Sequence, residues 1–434
     1  MKFRSLICMS AVATCIAFSA FAEGLPKANH PEEVGFSSER LKRLTDAFQA
    51  DVDKGAIPGA VVLVARNGKV AYLEALGFQN REKKTPMGAD AIFRIASMSK
   101  EITSVAIMML VEEGKIQLFD PVSVYLPELK GLEVGVEKTD AATGNAELSR
   151  EPAQREMTIQ DLLRHTSGLT YGIFGKSLVN DKYLEANLFD PSQTLAEFIT
   201  KLSKLPLADQ PGTMWDYSVS TDVLGRVIEV VSGQTLDEFI AERIAKPLRL
   251  SDTGFYVPAE KAARIAQPQI DPAGKRPSYM TDVTSRPNWL SGGSGMVSTA
   301  SDYARFAQML LNGGKLDGAR LLAPGVVAYM TSDQLPPEIS YSRGTLQLFE
   351  PRGSAPTPRN GQGFGLGFFV RTQPGRNPLP GSVGEFWGYS SFGTYFLVDP
   401  KEKLIAVAMM QVGVAQVSHY RSLISNLVYQ ALID

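Results

Sequence analysis

The chain has 434 residues, 44 Lys and Arg against 46 Asp and Glu, a formal charge of −2 and 44% hydrophobic residues. A near-neutral chain without a long basic run is not built to track a phosphate backbone, so no nucleic acid partner is expected. Its two cysteines, Cys8 and Cys15, stand close to the start, which removes disulfides, thiol nucleophiles and cysteine metal ligands from the fold beyond them.

Lys2 and Arg4 precede an apolar run from Leu6 to Phe18, and Ala20-Phe21-Ala22 follows as a small-x-small cleavage pattern. This predicts a signal peptide over residues 1–22, cleaved after Ala22, and a periplasmic or secreted mature chain. No other apolar stretch is long enough to cross a bilayer, so stable membrane insertion is not expected. Ser37 and Ser38 then cap a helix with Leu41, Leu44, Phe48 and Val52 at helical spacing, closed by Gly55. Ala60 to Ala65 and Val70 to Ala75 are β-rich runs around Asn67-Gly68, which predicts a tight hairpin. A second helix is expected over Glu101 to Glu113, with Ser97 where it begins and Gly114 as its stop.

Leu132 to Met157 is polar and aperiodic and reads as a surface excursion. Helical patterns dominate the middle, at Thr194 to Leu202, Val219 to Val231, Leu236 to Ile244 and Ala300 to Leu311. Strand patterns return at Gly363 to Arg371, Thr394 to Val398 and Leu404 to Gln411, before a last helix with Tyr420, Leu423, Ile424, Leu427 and Val428. The expected fold is therefore α+β, an α/β sandwich. One antiparallel sheet draws strands from both ends of the chain (residues 23–110 plus 291–434), is flanked by helices and carries an inserted, mostly helical region (residues 111–290).

Ser97-Met98-Ser99-Lys100 is the only Ser-x-x-Lys in the chain. The pattern alone is expected about once by chance in a chain of this size, and it also reads as a capping serine followed by an exposed lysine. At the first turn of a helix, however, free N–H groups favour developing negative charge, and residues three apart share a face. Lys100 can then serve as the base that a serine nucleophile needs, provided it is neutral. Tyr217, in Pro211 to Ser218, suits proton relay if it faces a cleft and suits a core role if it does not. The histidines His30, His165 and His419 form no metal-spaced pair and no Gly-x-Ser-x-Gly elbow. His165 sits in His165-Thr166-Ser167-Gly168-Leu169, where a structural loop explains it. The glycines from Gly361 to Gly367 lack nucleotide-cradle spacing, and Lys138-Thr139-Asp140 lacks the glycine of a Lys-Thr-Gly motif. No metal or cofactor is expected.

Ser97 to Lys100, Leu110 to Lys115, Asp120-Pro121-Val122, His165 to Leu169, Pro211 to Ser218, Gly292 to Ser298, Gly363 to Gly367 and Phe396 to Pro400 together resemble the serine β-lactamase-like family. That family includes class C β-lactamases, penicillin-binding proteins and family VIII carboxylesterases. The resemblance implies that Ser97 is acylated, that Lys100 accepts its proton, and that Tyr217 protonates the leaving group and helps activate the deacylating water. The chain has Tyr217-Ser218-Val219 where β-lactamases carry Tyr-x-Asn, and no late Lys-Thr-Gly. Phe386-Trp387-Gly388-Tyr389 is instead the counterpart of the Trp-Gly-Gly of esterases. By this resemblance Trp387, Gly388 and Tyr389 line the substrate on an edge strand, and the N–H groups of Ser97 and Ser390 form the oxyanion hole. An apolar wall without a cationic anchor points to short acyl esters, a small-molecule substrate class. A β-lactamase, a D-amino-acid peptidase or amidase, and a penicillin-binding protein with little turnover are the alternatives on the same fold.

Overall fold

A computed structural model describes residues 24–139, 145–269 and 282–434. The expected signal peptide lies outside the described residues. Strands β1 (Gly59–Arg66), β2 (Lys69–Asn80) and β3 (Thr85–Pro86) come from the first part of the chain. Strands β4 (Gln362–Phe364), β5 (Phe369–Arg371), β6 (Phe386–Tyr389), β7 (Tyr395–Asp399) and β8 (Leu404–Met410) come from the last. Among the described residues they form one eight-stranded sheet in the order β4-β5-β6-β7-β8-β1-β2-β3. Every neighbouring pair is antiparallel, and the seam between the chain's two ends sets Ala60 opposite Met410 and Arg66 opposite Leu404. All of β8 and all of β1 before Arg66 are buried, so helices must cover both faces.

Asn67 and Gly68 take φ of 54° and 78°, the two positive values that a two-residue hairpin turn requires. Helix α1 (Ser38–Asp53) is capped by the Ser37 hydroxyl, which accepts the Arg40 N–H, and it buries Leu41, Leu44, Phe48 and Val52. Helix α2 (Ser99–Glu112) is central, since every residue from Ser99 to Leu110 is buried. Helices α3 (Ser220–Ser232), α4 (Ala300–Leu311) and α5 (Val417–Tyr429) also fall where the apolar periodicity places them. Two adjacent residues of β7 show which helices take which face. The Tyr395 hydroxyl stands 3.3 Å from Ser425 Oγ of α5, whereas the Phe396 ring packs 5.0 Å from Tyr303 of α4. Successive strand residues point to opposite faces, so α5 and α4 cover opposite sides of the sheet.

Three segments differ from expectation. The excursion at Leu132 to Met157 contains an antiparallel hairpin, Glu133–Thr139 against Ala146–Pro152, which docks through backbone bonds of Glu133 and Gly135 with Leu207. Its strands are largely exposed and charged, so no apolar alternation marks them. Lys138 and Thr139 end its first strand, and Asp140 lies outside the described residues. Gly363 to Arg371 is not one strand but two, β4 and β5, folded back on each other. Gly367 makes this reversal with φ of 95°, and a Cβ there would stand 2.2 Å from Ser104 Oγ. Finally, β6 is not an edge strand: β5 pairs with its first two residues, setting Phe369 opposite Trp387.

Candidate active site

Ser97 lies in a single 3-10 turn, Ala96–Met98, that runs into α2. Ala96 is held at φ 40°, a left-handed conformation that costs a non-glycine residue about 1 kcal/mol. Such strain persists only where the surroundings over-determine it. Here they do: Ile95 donates its N–H to the Met296 carbonyl, and Met296 donates its own to Ser99 Oγ, both at 3.0 Å. Ser97 is half-buried between buried neighbours.

Lys100 is 3% exposed. Its Nζ donates to the Gly293 carbonyl at 2.6 Å and lies 4.8 Å from the centre of the Tyr217 ring and 5.6 Å from that of Tyr171. The Ser97 hydroxyl lies close enough to the Tyr217 phenol to act on its titration. Burial holds the Tyr217 phenol well above its ordinary value, and the Ser97 hydroxyl opposes that rise. Thus Ser97, Lys100 and Tyr217, from two distant segments, meet in one place.

The loops that bring Tyr217 there are tied by backbone. Asp216 donates its N–H to the His165 carbonyl at 3.0 Å, Gly212 to the Thr166 carbonyl at 2.7 Å, and Ser218 to His165 Nδ1 at 3.2 Å. Accepting that N–H requires an unprotonated Nδ1, and burial, aided by the Lys100 charge, pushes the His165 pKa well below its usual range. The His165 ring stacks 4.6 Å from Tyr217. It is a strut for Tyr217.

Two buried acids were not legible as site residues. Asp222, on α3, accepts from Ser291 Oγ at 2.5 Å and from the Gly293 N–H at 3.2 Å, and so aims the carbonyl that receives Lys100. Burial raises its pKa, while its Ser291 bond and the Lys100 charge lower it. Glu101, beside Lys100 and 4% exposed, is pushed up to about 8 by burial. The only sequence signal for either was an acid inside an apolar helical pattern.

The Trp387 to Ser390 segment divides. The Trp387 ring is 1% exposed, stacks on Phe369 at 4.3 Å and lies under the Arg421 guanidinium of α5 at 4.7 Å. That is the face of the sheet opposite α4, so Trp387 does not wall the site as expected. Ser390 donates its N–H to the Thr394 carbonyl at 2.9 Å, within the turn that joins β6 to β7. That N–H is committed to the fold, and the expected oxyanion role does not fit it. Tyr389 is half-buried; its hydroxyl stands 3.2 Å from Ser354 Oγ, and its ring is 6.2 Å from Phe349, which in turn packs 5.2 Å from Tyr217. Gly388 faces the α4 side, opposite Phe396 and next to Glu101.

An aromatic wall extends from Tyr217 in another direction. Tyr171 is 5.7 Å from Tyr217, Phe189 stacks on Tyr171 at 5.9 Å, and Trp289 lies 5.9 Å beyond Phe189. Phe189 is 38% exposed, so the wall runs from Tyr171, beside the buried Lys100, out to solvent. A separate cavity of about 320 Å³ between Asp237, Ser251, Tyr256 and Lys261 is lined by none of these residues.

A sheet from both chain ends, with a serine and a lysine at the start of a central helix and a tyrosine from a distant loop beside them, defines a serine β-lactamase fold. The chain belongs to the Beta-lactamase family, whose model matches residues 44–421. It is 35% identical to an uncharacterized protein of Mycobacterium tuberculosis (strain CDC 1551 / Oshkosh), over 84% of this chain and 90% of that one. It is 31% identical to the lovastatin esterase of Penicillium rubens, over 84% of this chain and 91% of that one. The solved structure of EstCE1, a hydrolase with promiscuous acyltransferase activity, superposes with a TM-score of 0.73 at 27% identity, covering 90% of this chain and 99% of the other. Among the described residues no helix is long and apolar enough to cross a membrane.

Proposed function

We propose that the protein hydrolyses carboxylic esters through an acyl-enzyme on Ser97. The observation that carries this reading is the meeting of a half-buried Ser97, beside the Tyr217 phenol, with a buried Lys100 amine 4.8 Å from the centre of the same tyrosine ring. Lys100, when neutral, takes the Ser97 proton as Oγ attacks the ester carbonyl, and the Ser97 N–H helps hold the oxyanion. Tyr217 gives a proton to the departing alcohol and later takes one from the water that releases the acid. Strand β6 offers no lysine near Gly388 to hold a β-lactam carboxylate, which favours a neutral ester, and the esterase activity named for the Penicillium rubens relative supports the same class.

The wall of Tyr171, Phe189 and Trp289 suits the apolar part of that ester, short acyl esters being the simplest members of the class. An aromatic wall that keeps water from the acyl-enzyme also favours transfer of the acyl group to an added alcohol, the second activity named for EstCE1. The residue 1–22 pattern supports export to the periplasm or outside, and a secreted product starting at Glu23 tests that part. For the chemistry, mixing with 4-nitrophenyl acetate gives a burst of nitrophenol and an acetylated Ser97 by peptide mass mapping, and Ser97→Ala abolishes both. Full hydrolysis by Ser97→Ala would sink the proposal. An adduct that persists with every ester tried would point instead to an acyl-binding protein without turnover.

A further inference from the structure

The carboxyl of Glu101 occupies an unusual place. A Cβ built on Gly388 would stand 1.8 Å from Glu101 Oε1 and 2.7 Å from Phe396 Cε1. The acid therefore fills the space that a side chain at position 388 would take, at the start of α2. Tyr303 of α4 bridges the same corner: its hydroxyl lies 3.0 Å from the Met98 carbonyl and 3.4 Å from Glu101 Oε2. The Phe396 ring of β7 borders the same space beside Gly388 of β6. On its own helix the neighbour is Lys100, whose Nζ is directed to Gly293, and Tyr217 lies within electrostatic reach.

Resting on the acyl-serine reading of the site, we propose that Glu101, as the neutral acid, is the positioning residue that spaces β6 from Ser97, and that loss of its proton shuts the site down from the alkaline side. A carboxylate at this spot is buried, with the Tyr303 hydroxyl 3.4 Å away, so ionisation drives the side chain away from Gly388 and releases the strand. The burial of Glu101 places this transition near pH 8.

The test is the pH dependence of acyl-enzyme formation with 4-nitrophenyl acetate, corrected for spontaneous hydrolysis, for the wild type, Glu101→Gln and Glu101→Ala. The amide keeps the size of the acid and cannot ionise, so Glu101→Gln is expected to hold the wild-type rate at pH 7 within about threefold and to lose the alkaline fall near pH 8. Glu101→Ala leaves a void under Gly388, and its kcat is expected to drop by about tenfold or more at every pH with KM little changed. Thermal melts identify any variant that fails to fold, and if the alanine variant does, the glutamine profile decides alone. A glutamine profile that superimposes on the wild type, or an alanine variant with wild-type kcat, overturns the proposal. Mass mapping of acetyl on Ser97 in the wild type keeps a failure of this inference distinct from a failure of the acyl-serine reading.

Discussion

Replacing His165 by asparagine isolates the strut behind Tyr217. Asparagine tolerates the φ of 58° that His165 adopts, so the backbone is left in place while the ring is removed. The ring packs 4.6 Å from Tyr217 and 5.6 Å from Phe364, and its Nδ1 accepts the Ser218 N–H. Two aromatic contacts and one buried hydrogen bond are together worth about 2–3 kcal/mol. At pH 7.5 the variant should therefore be roughly that much less stable in urea titrations. Below pH 6.5 the gap should close. The folded-state pKa of His165 is depressed below its usual 6.5, so the unfolded chain binds a proton that the folded chain refuses. The wild type then loses stability as pH falls through that window, by up to about 1.4 kcal/mol per pH unit, and the variant lacks this loss. Titrating carboxylates act on both proteins alike and cancel in the difference. A stability gap that stays constant from pH 7.5 down to about 4.5 would refute a neutral, buried His165.

Asp222→Ala removes the carboxylate that aims Gly293 at Lys100; a lost charge-assisted bond of about 2 kcal/mol predicts a kcat lower by roughly 10- to 100-fold with KM within about threefold, read from steady-state ester hydrolysis. Phe189→Ala truncates the exposed member of the aromatic wall; KM for a phenylalkanoyl ester should rise by about tenfold while that for the acetyl ester stays level, and equal effects on both would remove Phe189 from the substrate path. Ala96→Gly relieves the left-handed strain ahead of Ser97 and should raise the urea midpoint by about 1 kcal/mol in stability while lowering the burst rate; a less stable variant would count against strain at that turn.

The sheet and its helices were largely legible because their signals are local. Leu41, Leu44, Phe48 and Val52 repeat at helical spacing, and Asn67-Gly68 leaves the chain little choice but a hairpin. The grouping of Ser97 with Tyr217 came from the order of several motifs, since nothing local in either segment refers to the other. Trp387 and Ser390 show where such reading stops. In a strand a shift of one residue exchanges the faces, so an alignment one position uncertain sets Trp387 equally on the helix α5 side or toward Ser97. Likewise, alternate N–H groups serve opposite edges, and only the pairing of β6 with β7 shows that the Ser390 N–H is spent. Glu101 and Asp222 stayed hidden for a different reason. Burial all around α2, and of every residue from Ser220 to Gly225 in α3, erases the polar face that would mark an inward acid as an exception.

The seam between β1 and β8 bears on how the protein is made. On its β8 side Ala60 pairs with Met410, and Lys100 donates to the Gly293 carbonyl. A chain emerging from the ribosome therefore holds Ser97 long before it holds the sheet, the acceptor or the strand that surround it. Contacts of such long sequence separation form slowly and late. Partial products should carry Ser97 without reactivity, and the appearance of esterase activity during synthesis would report completion of the last strand rather than translation of the motif.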